Sequence, residues 1–272
     1  MPSMSVLDRA LKGPADRPDA IGGGEEVENQ ELKEGASLGS VLQFSDRLTR
    51  LRNDRYLKTL PQRMTHLSVG GAEILTTFQR VKPESRMREI LPDVAATVLL
   101  RAMTMLQSLE GREGIIHALK QKYPESGCSY CGLKPCGCEV ARPEEKKGAE
   151  SSEAQNNWSL REWQEHLKSV YGEVNDRRGL NFVCDRLNEE IGEAGAAGLQ
   201  MDMQPELAEQ FRREAISELA DTVAWALGVC NAVDTDMEKK FLERYGKGCP
   251  NCGQLSCQCG PFAFVHERKF NR

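Results

Sequence analysis

Apolar residues recur at helical spacing along most of this chain. In "AISELADTVAWALGVC" (215–230), Ile216, Leu219, Val223 and Leu227 fall three or four positions apart and make one stripe. Strict apolar–polar alternation over β-branched residues, the mark of a half-buried strand, is hard to find, and the apolar set favours Leu, Ala, Val and Met. The pattern predicts an all-α fold. Polar stretches divide it. Residues 1–38, with "GGGEEVENQELKEG" and few large apolar side chains, read as a disordered tail. Residues 140–157, around "ARPEEKKGAESSEAQNN", read as a linker. Two helical blocks remain, 39–139 and 158–272, the second ending in the partly apolar "PFAFVHERKFNR".

The blocks resemble each other. "GCSYCGLKPCGCE" (127–139) and "GCPNCGQLSCQCG" (248–260) share the spacing C-x-x-C-x-x-x-x-C-x-C, with Gly before the first Cys and after the second. Upstream, "LSVGGAEIL" (67–75) sets over "LNEEIGEAG" (187–195), and "ILPDVAATV" (90–98) over "ELADTVAWA" (218–226). "ALKQKYPESGC" and "FLERYGKGC" then lead into the two cysteine loops. A fixed order of similar elements indicates an internal duplication.

Ten cysteines sharpen that picture, because eight of them lie in the two loops. Cys128, Cys131, Cys136 and Cys138 form one clasp, and Cys249, Cys252, Cys257 and Cys259 the other. Four thiolates within a few residues, with glycines for tight turns, suit a closed structural Zn²⁺ site; iron–sulfur ligation and redox use are the alternatives. Cys184 and Cys230 read as buried apolar residues. The N-terminal segment carries charges where a signal peptide needs an apolar core, and no run is long enough to span a membrane. The expectation is a cytoplasmic protein whose thiols stay reduced. A net charge of −5 argues against a general nucleic-acid binder.

The candidate chemistry lies in the second block. "RLNEEIGEAGAAGLQ" (186–200) puts Glu190 and Glu193 on one helix face, with Glu189 one turn behind Glu193, and Glu218 and Asp221 stand three apart on the next helix. That second pair borders an apolar stripe, where unpaired carboxylates are costly. Two such helices facing each other call for a cation or for bound protons, and oxygen ligands of this kind suit Mg²⁺ or Mn²⁺. A solvated acidic face is the bland alternative. Gly192, Gly195 and Gly198 are costly inside a helix and suggest close helix approach or room for a ligand.

E-E-x-x-E followed by E-x-x-D resembles the MazG-like all-α nucleoside triphosphate pyrophosphohydrolases. "NEEIGEAG" and "SELAD" match the two motifs, "SLREWQEHLKSVYGEVNDRRG" resembles the family's first helix, and "DTDMEKKFLERYG" its last. Some members also carry a Cys-rich tail like "GCPNCGQLSCQCG". The resemblance implies tandem MazG-like bundles and Mg²⁺-dependent cleavage of an NTP or dNTP to the monophosphate and pyrophosphate. Glu190, Glu193, Glu218 and Asp221 would hold Mg²⁺, Glu189 would support the cluster or orient water, and Lys239, Lys240 and Arg244 would meet the phosphates. Lys239, Lys240 and Arg244 read equally as a solvated basic face; Asn175 and Arg178 are weaker candidates. Trp158, Trp163 and Trp225 are candidates for pocket walls, although core packing is the commoner use of such aromatics. His66, His117, His166 and His266 show no ligand spacing.

In the first block Val69, Gly70 and Ile90 replace Glu189, Glu190 and Glu218; only Glu73 and Asp93 remain, Glu89 is rotated away, and Pro92 is expected to kink or shorten its helix. The expected architecture is an intramolecular pseudo-dimer with one active half, with a homodimer as a further option. Two other readings stay open: a zinc-stapled helical regulatory protein that binds nucleotides without turnover, and a pyrophosphohydrolase of a phosphoribosyl-nucleotide.

Overall fold

The computed structural model describes residues 31–109, 111–138 and 149–260. Among these there are helices and turns and no strand, as the apolar periodicity predicts. The first half contributes α1 (Leu38–Tyr56), α2 (Leu60–Arg80), α3 (Glu84–Leu109) and α4 (Gly111–Lys122). The second contributes α5 (Leu160–Met203), α6 (Ala208–Ala232) and α7 (Met237–Tyr245). Helix α5 is two helical segments joined at Gly179, whose φ of 82° is open to glycine and breaks the helical path. The second half therefore also has four helical segments. Residues 1–30, 110, 139–148 and 261–272, with most of the expected tail and linker, His266 and the final apolar segment, lie outside the described residues.

Local chemistry sets the helix starts. Thr59 and Ser159 each close a capping box, with Gln62 and Glu162 respectively, and Asp236 accepts from the Lys239 amide at 3.0 Å. Helix α3 runs unbroken through Pro92 to Leu109, so the expected shortening does not occur. Val94–Leu106 is buried almost without a break. Burial on that scale outweighs the roughly 3 kcal/mol that an internal proline costs.

The halves share one hydrophobic core, which takes in Leu42, Leu67 and Leu99 from the first and Leu187, Leu219 and Leu227 from the second. Their contacts are reciprocal. The two N-cap serines, Ser37 and Ser159, form an antiparallel bridge, and the Leu38 amide donates to the Trp158 carbonyl at 2.7 Å. Each clasp docks on the first helical segment of the other half. The Cys136 amide donates to Val170 O at 2.7 Å, and the Cys257 amide to Leu48 O at 2.9 Å. The end of each half thus completes its partner.

No helix among the described residues is long and apolar enough to cross a membrane.

Candidate functional site

Glu190, Glu218 and Asp221 each bring a carboxylate oxygen within 4.8 Å of the others. Glu190 comes from the second segment of α5 and is 2% exposed; Glu218 and Asp221 come from α6 and are partly buried. Burial, then the Asp221 charge, pushes the Glu190 carboxyl up to about 8, with Glu218 and Glu193 adding to the shift and Arg186 opposing it. Glu218 is also raised, chiefly by burial, while Lys122 pulls it down. Such a cluster holds a proton, or could hold a divalent cation.

Glu193 is exposed and lies outside the tight trio, though both Glu190 and Glu218 feel its charge. Glu189 is also exposed and pairs with Arg186, which bonds Glu190 as well.

The first half supplies a second cation. At the end of α4, the Lys122 ammonium bonds the Asp221 carboxylate, donates to Ser217 O at 2.8 Å and lies 3.6 Å from Glu218. The Tyr123 hydroxyl donates to the other Asp221 oxygen at 2.6 Å. The site is therefore composite.

Lys122, Tyr123, Arg186, Glu190 and Asp221 line a cavity of about 660 Å³. Its lining includes Phe182 and Trp225, edge to face with ring centres 6.0 Å apart. The Arg178 guanidinium lies 4.7 Å over Phe182, and Arg186 lies 5.8 Å over Trp225. Asn175 lines the same cavity. Of the three tryptophans only Trp225 reaches it. Trp163 is buried in the core, with its ring 5.0 Å from Trp158 and both close to His166.

Lys239, Lys240 and Arg244 are not brought to this cavity. Helix α7 faces the first half, where Lys240 lies 3.6 Å from Asp93 and Arg244 donates to the Tyr245 hydroxyl at 3.0 Å. The exchange of ends explains the placement: α4 serves the second-half cluster, and α7 serves its first-half counterpart. There the Tyr245 hydroxyl bonds Thr97 at 2.9 Å, as Tyr123 bonds Asp221. Thr97, one turn beyond Asp93, is the structural counterpart of Asp221. In that register Val94 stands for Glu218 and Arg101 for Trp225. Arg101 is 1% exposed, with Nη1 bonded to His66 O at 3.1 Å. Burial lowers its pKa while the Glu73 carboxylate pulls against that shift. A guanidinium thus occupies the first-half site beside its one remaining glutamate.

No family model, curated protein or solved structure matches the chain.

Each clasp brings its four sulfurs within 4.8 Å of one another, with Cys128–Cys138 at 3.8 Å, Cys131–Cys136 at 4.0 Å and Cys249–Cys259 at 3.9 Å. Four sulfurs about 2.3 Å from a tetrahedral zinc stand about 3.8 Å apart, whereas a disulfide needs about 2.05 Å. All ten cysteines are free thiols. Backbone amides of Tyr130, Gly137 and Cys138 point at Cys128, Cys131 and Cys136, at 3.4, 3.5 and 3.5 Å. Burial opposes ionisation of Cys131, yet such amides hold it down to about 7, as they do Cys252. The donor set and spacing fit a metal ion such as zinc in each clasp. Cys184 and Cys230 are buried, as expected of apolar residues.

Sequence reasoning missed Lys122, Tyr123 and Arg186. The available signal was the match of "KYPESGC" to "RYGKGC" before each clasp, which sets Tyr123 over Tyr245.

Proposed function

We propose that the second half carries a Mg²⁺-dependent nucleoside triphosphate pyrophosphohydrolase site, releasing pyrophosphate and a monophosphate. The observation that carries this reading is the convergence of Glu190, Glu218 and Asp221 with Lys122, three of which (Glu190, Asp221 and Lys122) line a nucleotide-sized cavity that also has aromatic lining. The order of the EExxE and ExxD motifs, which resembles the MazG-like enzymes, supports it independently. Bound Mg²⁺ supplies charge neutralisation and acidifies a water. Glu190, Glu218 and Asp221 would be its ligands, with Glu193 adding negative charge at the rim. Lys122 and Arg186 offer cations to the phosphates, and Lys122 exchanges its Asp221 contact for a phosphate oxygen. Trp225 and Phe182 offer flat surfaces to a base, and Arg178 closes that end. Glu189 stays a candidate for positioning water only if Arg186 releases it.

One observation favours a second reading, a regulatory protein that binds nucleotides without turnover. The Lys122 ammonium already lies against both Asp221 and Glu218, so part of the cluster's negative charge is met without any ion. Pyrophosphate release from a panel of NTPs and dNTPs, with and without Mg²⁺, separates the two. The enzyme reading expects Mg²⁺-dependent release that falls at least about a hundredfold in Asp221→Asn. Nucleotide binding with no release from any substrate would establish the second reading instead.

A further inference from the structure

Clasp 1 belongs to the first half in sequence but forms part of the second half's cavity. Cys128, Cys136 and Cys138 line that cavity, beside the carboxylate trio's Glu190 and Asp221. A short chain of contacts joins clasp and cluster. The Val170 carbonyl accepts from the Cys136 amide at 2.7 Å, and the adjacent Tyr171 side chain lines the cavity together with Cys128. Its ring stands edge-on to the Tyr123 ring at 6.0 Å, and the Tyr123 hydroxyl donates to Asp221 at 2.6 Å. Tyr123 and Lys122 also lie only a few residues before Cys128, so the fold of the clasp fixes where the end of α4 points.

The two clasps are held differently. In clasp 2, Cys249 and Cys257 are part of the hydrophobic core, with Cys252, Leu255 and Cys259 packed against it. In clasp 1 only Cys128 is buried; Cys131, Cys136 and Cys138 are partly exposed, and Leu133 is 56% exposed. A loop with so little apolar burial depends on its metal for shape, and a loop packed in the core does not. The tyrosine of clasp 2, Tyr245, meets Thr97 rather than a carboxylate cluster.

We propose that the metal in clasp 1 sets cation and ligand binding at the Glu190–Glu218–Asp221 site, acting through Tyr171 and Tyr123 as positioning residues, so that loss of that metal switches the site off. The inference rests on the reading of the trio as a divalent-cation site. Clasp 2 has no such role; its metal is structural.

The test compares Cys131→Ser with Cys252→Ser in the full chain, reading zinc content, helical content by circular dichroism, and Mn²⁺ affinity at the trio by electron paramagnetic resonance. Both variants should lose one zinc per chain. Cys131→Ser should weaken Mn²⁺ binding about tenfold or more, while Cys252→Ser leaves it unchanged. Tyr171→Phe and Tyr123→Phe keep both clasps intact and should also weaken Mn²⁺ binding. Tyr123→Phe should add little in the Cys131→Ser background, because both act on one path. If Cys131→Ser fails to fold, the two tyrosine variants decide. Wild-type Mn²⁺ affinity in a zinc-depleted Cys131→Ser, or in both tyrosine variants, overturns the proposal, as do equal losses from both cysteine variants. Wild-type protein that binds no Mn²⁺ at the trio overturns the underlying reading as well.

Discussion

Glu190 shows how much the surroundings of a single residue decide. In the ion-free protein, burial and its neighbours hold its carboxyl protonated near neutral pH, with a pKa of about 8 against an ordinary value of 4.5. The folded state therefore keeps a proton that the unfolded chain releases, and this group's contribution to stability falls as pH rises from about 4.5 to about 8. Ion-free wild type should thus lose more thermal stability between about pH 6 and about pH 8 than Glu190→Gln does. Added Mg²⁺ should stabilise wild type more at the upper pH, where the proton no longer competes. Parallel melting curves for the two proteins would refute the assignment. The i, i+3 spacing made Glu190, Glu218 and Asp221 legible as candidates. It could not show that Glu189 and Glu193 are exposed, because helical spacing says which residues share a face but not how far a facing helix covers them.

At the scale of the elements, the glycines divide by what stands opposite them. A Cβ at Gly192 or Gly195 would meet nothing within 4 Å, so neither serves close helix packing. Alanine there should stabilise the protein by about 0.5–1 kcal/mol each, by urea denaturation. Stabilised variants that lose nucleotide binding would show that the open space is used by a ligand. Gly198 is different: its Cβ would lie 2.8 Å from the Met64 methyl, across the junction of the halves. Gly70 is also tight, and against a β-branched neighbour, with Val98 at 2.9 Å and the Arg101 guanidinium at 3.1 Å. Gly70→Ala should cost about 1–3 kcal/mol of stability while leaving Mn²⁺ binding at the second-half trio intact. Stability unchanged from wild type would mean that Arg101 is less firmly seated than the packing indicates. The helical content was legible from the apolar periodicity. The passage of α3 through Pro92 was not, since tertiary burial outweighs the local penalty there.

For the whole molecule the halves cannot be read separately. The core is continuous, each clasp docks on the opposite half, and the second-half cluster takes Lys122 and Tyr123 from the first. Residues 149–260 expressed alone should therefore show no cooperative thermal transition; an independently folded fragment that binds Mn²⁺ normally would disprove the composite site. The duplication was visible in the two cysteine patterns. The exchange of ends was not, because it depends on how the halves pack rather than on the order of elements within either. For the same reason, Lys240 and Arg244 looked suited to the carboxylate cluster, yet they serve the opposite face.

The most direct test is anomalous X-ray scattering from crystals of the full chain containing Mn²⁺, with Glu73→Gln and Glu190→Gln as comparisons. One Mn²⁺ peak is expected among Glu190, Glu218 and Asp221, kept in Glu73→Gln and lost in Glu190→Gln, and none beside Glu73 and Arg101. A peak beside Glu73, or none at the trio in wild type at saturating Mn²⁺, would contradict that expectation.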